Sequence, residues 1–322
     1  DYYNKTFICA HFDMEKGEGI ELARTYQVRA YPTLLFINAA GEMVHKRVGA
    51  PQKVADYLEM GTIARTPGEG FSAYMKRFQE GNRDPEFIVN YLERLQGAYM
   101  PITEPLNSYF ATQQESGLLS RPNWNIIYRY VTEMDSKEFK FLQRHQKEYS
   151  GLYTADSVSS KIFNVYIQAL TANIRSRSFS ETGYAELQQK IRNSGFKGAE
   201  KVIFMGDLSR YQMKGETDKF INLALTGLDN FYSDDYAMLN RMADNFFQIT
   251  EDKKNLEKAA RWAIKSISLK STSENNDTYA NLMYKLGHKE EAIKYEERAL
   301  ELAKKENVPT KVFESSLKKF RE

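Results

Sequence analysis

Pro32 stands directly ahead of the run Thr33-Leu34-Leu35-Phe36-Ile37-Asn38, and that order leaves the chain few options. A proline has no amide hydrogen for a ladder, so it marks where a strand begins rather than a place inside it. The Tyr31–Pro32 bond is expected to be cis, since proline cuts the trans preference to about 0.5–1 kcal/mol and a strand corner suits the turn. Around this corner the first 65 residues alternate short strands and helices. Thr6–Phe12, apolar at Phe7, Ile8, Cys9, Ala10 and Phe12, reads as a strand. Gly19–Val28 reads as a helix burying Ile20, Leu22, Ala23 and Tyr26. The turn Asn38-Ala39-Ala40-Gly41 leads into Glu42–Val48, whose alternation marks an edge strand. Gly49 closes it, and Pro51 opens a helix running to about Ala64.

Strand, helix, proline, strand, hairpin, strand, glycine, helix is an order that resembles the second half of a thioredoxin fold. The residues carrying the likeness are Asp13-Met14-Glu15, the helix end Leu22-Ala23-Arg24-Thr25-Tyr26-Gln27-Val28, Tyr31-Pro32-Thr33, and Gly41 through Val48-Gly49. The resemblance implies thiol–disulfide exchange, in which a thiolate of lowered pKa attacks a disulfide. It also implies that the residue before the proline offers its backbone to an extended substrate. Only Tyr31, Pro32 and Thr33 carry over, as substrate-binding residues. The Cys-x-x-Cys pair does not, because Cys9 is the one cysteine of the chain. The resemblance places that pair upstream of Asp1, on a helix whose tail would be Asp1–Asn4, so no catalytic residue is assigned within the 322. It also implies a further strand between the Cys9 and Pro32 strands, without which their backbone groups lack partners. Cys9 itself, mid-strand, is expected as a small core hydrophobe. His11, on the same strand face about 7 Å away, is too distant to activate it.

From Phe71 onward the pattern is helical. Phe71, Tyr74, Met75 and Phe78 form a stripe at helical spacing, and Asp84-Pro85 is a cap followed by a first-turn proline. Further helices are expected at about Glu104–Gln114, Asn123–Glu133, Ser136–Tyr149, Ala155–Ile174, Thr182–Ser194, Ala199–Met213 and Thr217–Phe231. Breaks fall at Gly81-Asn82, Gly117, Arg121-Pro122, Gly151, Gly195 and Gly215. Near the end, Tyr279 to Ile293, followed by Tyr295, Ala299, Leu300 and Leu302, resembles a tetratricopeptide repeat, two helices with a glycine at the joint and alanines where they cross. A weaker copy lies in Ala237–Phe247 and Leu256–Leu269, with Trp262 and Ile267 as core. Thr310–Phe320 reads as a terminal capping helix. The expected fold class is therefore a partial thioredoxin-like α/β module (1–65) followed by an all-α array. That array comprises a helical domain of unassigned repeat type (66–232) and tetratricopeptide-like repeats (233–322).

This architecture resembles thioredoxin-family proteins of the bacterial cell envelope, which implies a periplasmic setting, with the cytoplasm as alternative. The expected partners are protein or peptide clients. Net charge is only +2 and the isoelectric point near 8.3, which gives no footprint for nucleic acid. No apolar run approaches the length of a membrane span. Gly17-Glu18-Gly19 lacks the further spacing of a phosphate loop, and the four histidines, 11, 45, 145 and 288, are too scattered for a zinc site. No metal and no cofactor are expected. The aromatic pairs Tyr128/Tyr130, Phe139/Phe141 and Phe246/Phe247 read as helix core. Two functions follow: a thiol–disulfide oxidoreductase or isomerase whose redox pair lies outside these residues, or a non-catalytic scaffold that binds extended peptides.

Overall fold

A computed structural model describes residues 2–322. They form eighteen α-helices, one 3-10 turn and one two-stranded sheet, divided between two compact units, Asp1–Ala155 and Asp156–Glu322.

The first unit opens with a short helix, α1 (Tyr2–Thr6), then an irregular stretch, then α2 (Gly19–Thr25). Strands β1 (Thr33–Ile37) and β2 (Met43–Val48) pair antiparallel, with Thr33 opposite Val48 and Leu35 opposite Lys46, and a bulge follows Phe36. The Tyr31–Pro32 bond is cis. Helix α3 (Val54–Arg65) follows the sheet, then α4 (Phe71–Gln79) and α5 (Pro85–Gly97). Asp84 caps α5 through its carboxylate, which accepts from the amides of Glu86 and Phe87, both at 3.0 Å. The unit continues with α6 (Thr103–Phe110), a 3-10 turn at Glu115–Leu119, α7 (Arg121–Tyr130), α8 (Lys137–Arg144) and α9 (Gln146–Leu152). Its core is strongly aromatic. Tyr74 stacks on Phe87 with ring centres 5.2 Å apart, and Trp124 meets Tyr149 and Tyr153 at 5.3 and 5.1 Å. The buried hydroxyls have partners: Tyr149 donates to the Leu118 carbonyl at 2.7 Å and Tyr109 to Asn123 Oδ1 at 2.8 Å, which removes the cost of burying them.

The second unit is helical throughout: α10 (Ala155–Arg175), α11 (Glu181–Arg192), α12 (Ala199–Lys214), α13 (Thr217–Tyr232), α14 (Tyr236–Ile249), α15 (Lys253–Leu269), α16 (Ser273–Lys285), α17 (Lys289–Glu306) and α18 (Lys311–Arg321). Consecutive helices pair as hairpins, most extensively α14 with α15 and α16 with α17, and α15 also packs on α16. Small residues set the spacing at these crossings: Ala259, Ala263, Ala280, Ala292 and Ala299 are all fully buried. Trp262 and Ile267 join the same core, and the Trp262 indole donates to Asp229 at 2.7 Å. Helix α12 ends at Gly215 in the left-handed region, φ 69°, a conformation glycine adopts without a Cβ penalty. Helix α16 starts with a capping box in which Thr272 and Asn275 satisfy each other's amides.

Several expectations fail in the first unit: Ile20, expected to be buried on α2, is exposed, and the next two failures share one reason. Residues 6–12 form no strand: Thr6 ends α1, and the following residues carry no regular secondary structure and no ladder. A strand exists through its ladder, and β1 and β2 pair only with each other. Cys9, expected in the core, is consequently exposed. In the helical region the stretch read as Ser136–Tyr149 breaks at His145 into α8 and α9, and Tyr128 is exposed while Tyr130, Phe139, Phe141 and Phe246 are core. No helix among the described residues is long and apolar enough to cross a membrane.

Candidate functional site

The corner at Pro32 is held from four sides. Lys46, on β2 and almost fully buried, donates from Nζ to the carbonyls of Tyr26 and Gln27 at 3.2 and 2.7 Å. That pins the end of α2, where Gln27 takes a positive φ of 50°, unusual for a residue with a side chain. Tyr26 donates its hydroxyl to the Gly41 carbonyl at 2.9 Å, tying α2 to the hairpin turn. Thr33 donates its hydroxyl to the Ala30 carbonyl at 2.6 Å, and the Gly49 amide donates to the Pro32 carbonyl at 2.8 Å. Burial, and then the neighbouring Arg29, lower the Lys46 pKa. On the same strand His45 is pushed down to about 4 by burial first, with Arg94 and Arg47 adding to it. His45 is therefore neutral near pH 7, and its ring packs 5.9 Å from that of Phe36.

The irregular stretch after α1 lines the same cavity as this corner and is anchored at both ends. At one end Phe7 packs on Phe36 at 5.4 Å and on Tyr3 at 5.2 Å, and Tyr3 donates its hydroxyl to the Tyr57 carbonyl at 2.6 Å. Tyr2 lies so close over α3 that a Cβ on Gly61 would come within 2.7 Å of its ring. At the other end the Asp13–Met14 backbone sits against Gly19, where a Cβ would stand 2.1 Å from the Asp13 carbonyl oxygen. Between the anchors, residues 8–12 receive no backbone hydrogen bond among the described residues.

Between this stretch and the corner lies an open cavity of about 810 Å³. Ile8, Ala10 and Phe12 line it together with Thr33, Leu35 and Ile37 of β1; Leu22 of α2 and Tyr26 at its end contribute, and Tyr31 and Pro32 also line it. Ile8 is fully exposed and Tyr31 is 57% exposed, so apolar surface faces solvent here. The size falls in the range of clefts that hold ligands. All three residues singled out in the sequence, Tyr31, Pro32 and Thr33, line this cavity, although the Thr33 hydroxyl is committed to building the corner. The sequence reading missed Leu35, Ile37 and the whole 8–12 wall as cavity lining. The signal was present as a strand-like pattern without a neighbour to pair with.

No convergence of three or more His, Cys, Asp or Glu side chains suited to a metal ion occurs among the described residues. No protein family, curated protein or solved structure matches the chain.

Proposed function

We propose that the chain is a polypeptide-binding protein whose client site is the cavity beside Tyr31, Pro32 and Thr33. The observation that carries this reading is the apolar cavity of about 810 Å³ beside the unpaired edge of β1. An exposed sheet edge binds an extended chain through main-chain hydrogen bonds, and neighbouring apolar pockets take alternate side chains. The helical region supports client choice or buttresses the site. The thiol–disulfide reading is favoured by the order of elements around the Pro32 corner. It requires a dithiol, and Cys9 alone cannot supply one. A periplasmic setting belongs to that reading.

The test is binding of a reduced, carboxymethylated and therefore unfolded protein to the full chain, followed by fluorescence anisotropy. Saturable binding is expected. Ile8→Asp places a charge in the cavity wall at a fully exposed position, so folding is spared while affinity falls at least fivefold. Equal affinity of this variant and the parent chain would remove the cavity from the reading. For the exchange reading, a Cys-x-x-Cys encoded ahead of Asp1 is required, and replacing its first cysteine should abolish insulin reduction.

A further inference from the structure

We infer that the crossing of α16 and α17 is a latch worked by one proton: while Asp277 and Glu296 share it the two helices stay closed, and without it they part before the rest of the unit unfolds. This is independent of the polypeptide-binding reading above and concerns the second unit alone.

The argument begins with the stripe that α17 buries. Ala292, Glu296, Ala299 and Ala303 are its buried residues, and their spacing of four, three and four puts them on one face of the helix. Alanines let two helices approach closely but remove little apolar surface from water, so this crossing is weakly held by burial. Ala292 packs in the same core as Tyr279, Ala280, Leu282 and Met283 of α16. Ala299 and Ala303 instead pack with Phe313 of α18 in a separate cluster. Glu296 falls in the stripe between these alanines, with no surface open to water. The α14–α15 crossing is built differently: it buries Leu239, Met242, Phe246, Leu256 and Trp262. The α16–α17 crossing is thus the one that opens at the lower cost.

The charges around Glu296 then decide what opens it. From α16 the facing group is Asp277, and from α14 the carboxylate of Asp244 acts on Asp277. No cation among the described residues acts on Glu296. The nearby ionisable groups are engaged elsewhere: Glu291 accepts from the Tyr279 hydroxyl at 2.8 Å, Glu306 accepts from Ser273, and Arg321 of α18 pairs with Glu297. Two buried carboxyls facing each other without a cation keep one proton between them, and burial followed by Asp277 holds the Glu296 carboxyl above its ordinary range. Loss of that proton leaves a charge in the seam with no donor, a cost that water relieves only when the helices part. The sign follows from where the proton is held. Below the ordinary glutamate value closed and open forms both carry it, and pH does not move the latch. Above that value only the closed form keeps it, so opening grows by up to about tenfold per pH unit until the raised value is reached.

The experiment is amide hydrogen exchange of the full chain, read by mass spectrometry at pH 6, 7 and 8, with each rate corrected for the intrinsic effect of pH. At pH 8 the amides of α17 should be about tenfold or more less protected than those of α15, and their protection should fall by up to about tenfold per pH unit. In Glu296→Gln, which has no proton to lose, that fall should shrink to less than about twofold per unit. Equal protection of α17 and α15 at every pH overturns the latch, because the unit then opens only as a whole. Lower protection of α17 that stays constant with pH overturns the part played by the proton. A Glu296→Gln chain that keeps the parent's slope overturns the assignment to this pair. The comparison of α17 with α15 is read in the parent chain alone, so it decides the proposal even where the variant does not fold.

Discussion

The ammonium of Lys46 lies 2.7 Å from the carbonyl oxygen of Gln27, and this contact couples the second strand of the sheet to the loop that presents Tyr31. A buried lysine is expensive unless its protons are used, and here two are given to carbonyls at the end of α2. Lys46→Met keeps the apolar stem and removes the donor. The two carbonyls then lose their partner, which costs about 1–3 kcal/mol. The expected result is a lower urea midpoint and weaker peptide binding, because the corner loosens. An unchanged peptide affinity would show that Lys46 supports the fold without shaping the site.

Cys9 gives a second check on the same region. Its thiol is exposed, so a colourless disulfide reagent that releases a chromophore on reaction should titrate one thiol per chain without denaturant. The rate should be within about tenfold of that in urea, since access does not limit it. Saturating the cavity with the carboxymethylated protein should slow this reaction by covering residues 8–12. A thiol that reacts only after unfolding would return Cys9 to the core.

That contrast shows what could be read from the chain beforehand. Pro32, the β1–β2 hairpin, the Asp84 cap and the alanine crossings at Ala292 and Ala299 are fixed by local chemistry, a missing amide, a cap or a small side chain, and each lies where its residues indicated. Residues 6–12 have strand-like composition, yet a strand depends on a neighbour that composition does not supply. The cavity is a consequence of that unpaired wall, and so only its Tyr31–Thr33 corner was legible. The break at His145 was likewise invisible, since Phe141, Leu142 and Tyr149 continue a helical apolar pattern across it.

Two glycines should respond to alanine with opposite signs. Gly227 in α13 lies against Phe204 of α12, and a Cβ there would come within 2.3 Å of the ring. Phe204 is itself buried against Phe231 and Tyr232, so it cannot step aside freely. Overpacking costs about 1–3 kcal/mol, against roughly 1 kcal/mol of helix propensity gained. Gly227→Ala should lower the melting temperature, and adding Phe204→Leu should recover part of the loss. Gly151 in α9 faces open space, and a Cβ there would meet nothing within 4 Å. Gly151→Ala should therefore stabilise by about 0.4–1 kcal/mol. Matching shifts for the two single variants in thermal unfolding would contradict this assignment of close approach.

The pH dependence of the second unit should be set largely by Glu296. This α17 carboxyl is completely buried, and no donor reaches either of its oxygens among the described residues. Burial raises its pKa first, and the facing Asp277 of α16 raises it further. Asp277 is also raised, mainly by burial. The folded protein thus holds a proton that the unfolded chain releases near the ordinary glutamate value of 4.5. A carboxyl raised in the folded state gives its full stability below the unfolded value and loses it as pH climbs through the folded one. The slope is at most about 1.4 kcal/mol per pH unit per proton. Stability of the parent chain should therefore fall as the pH is taken from 5 towards 8. Glu296→Gln supplies an amide donor to Asp277 and has no proton to lose, so its advantage in melting temperature should be small at pH 5 and grow towards pH 8. Parallel melting curves for the two proteins across that range would mean that Glu296 does not carry the buried proton.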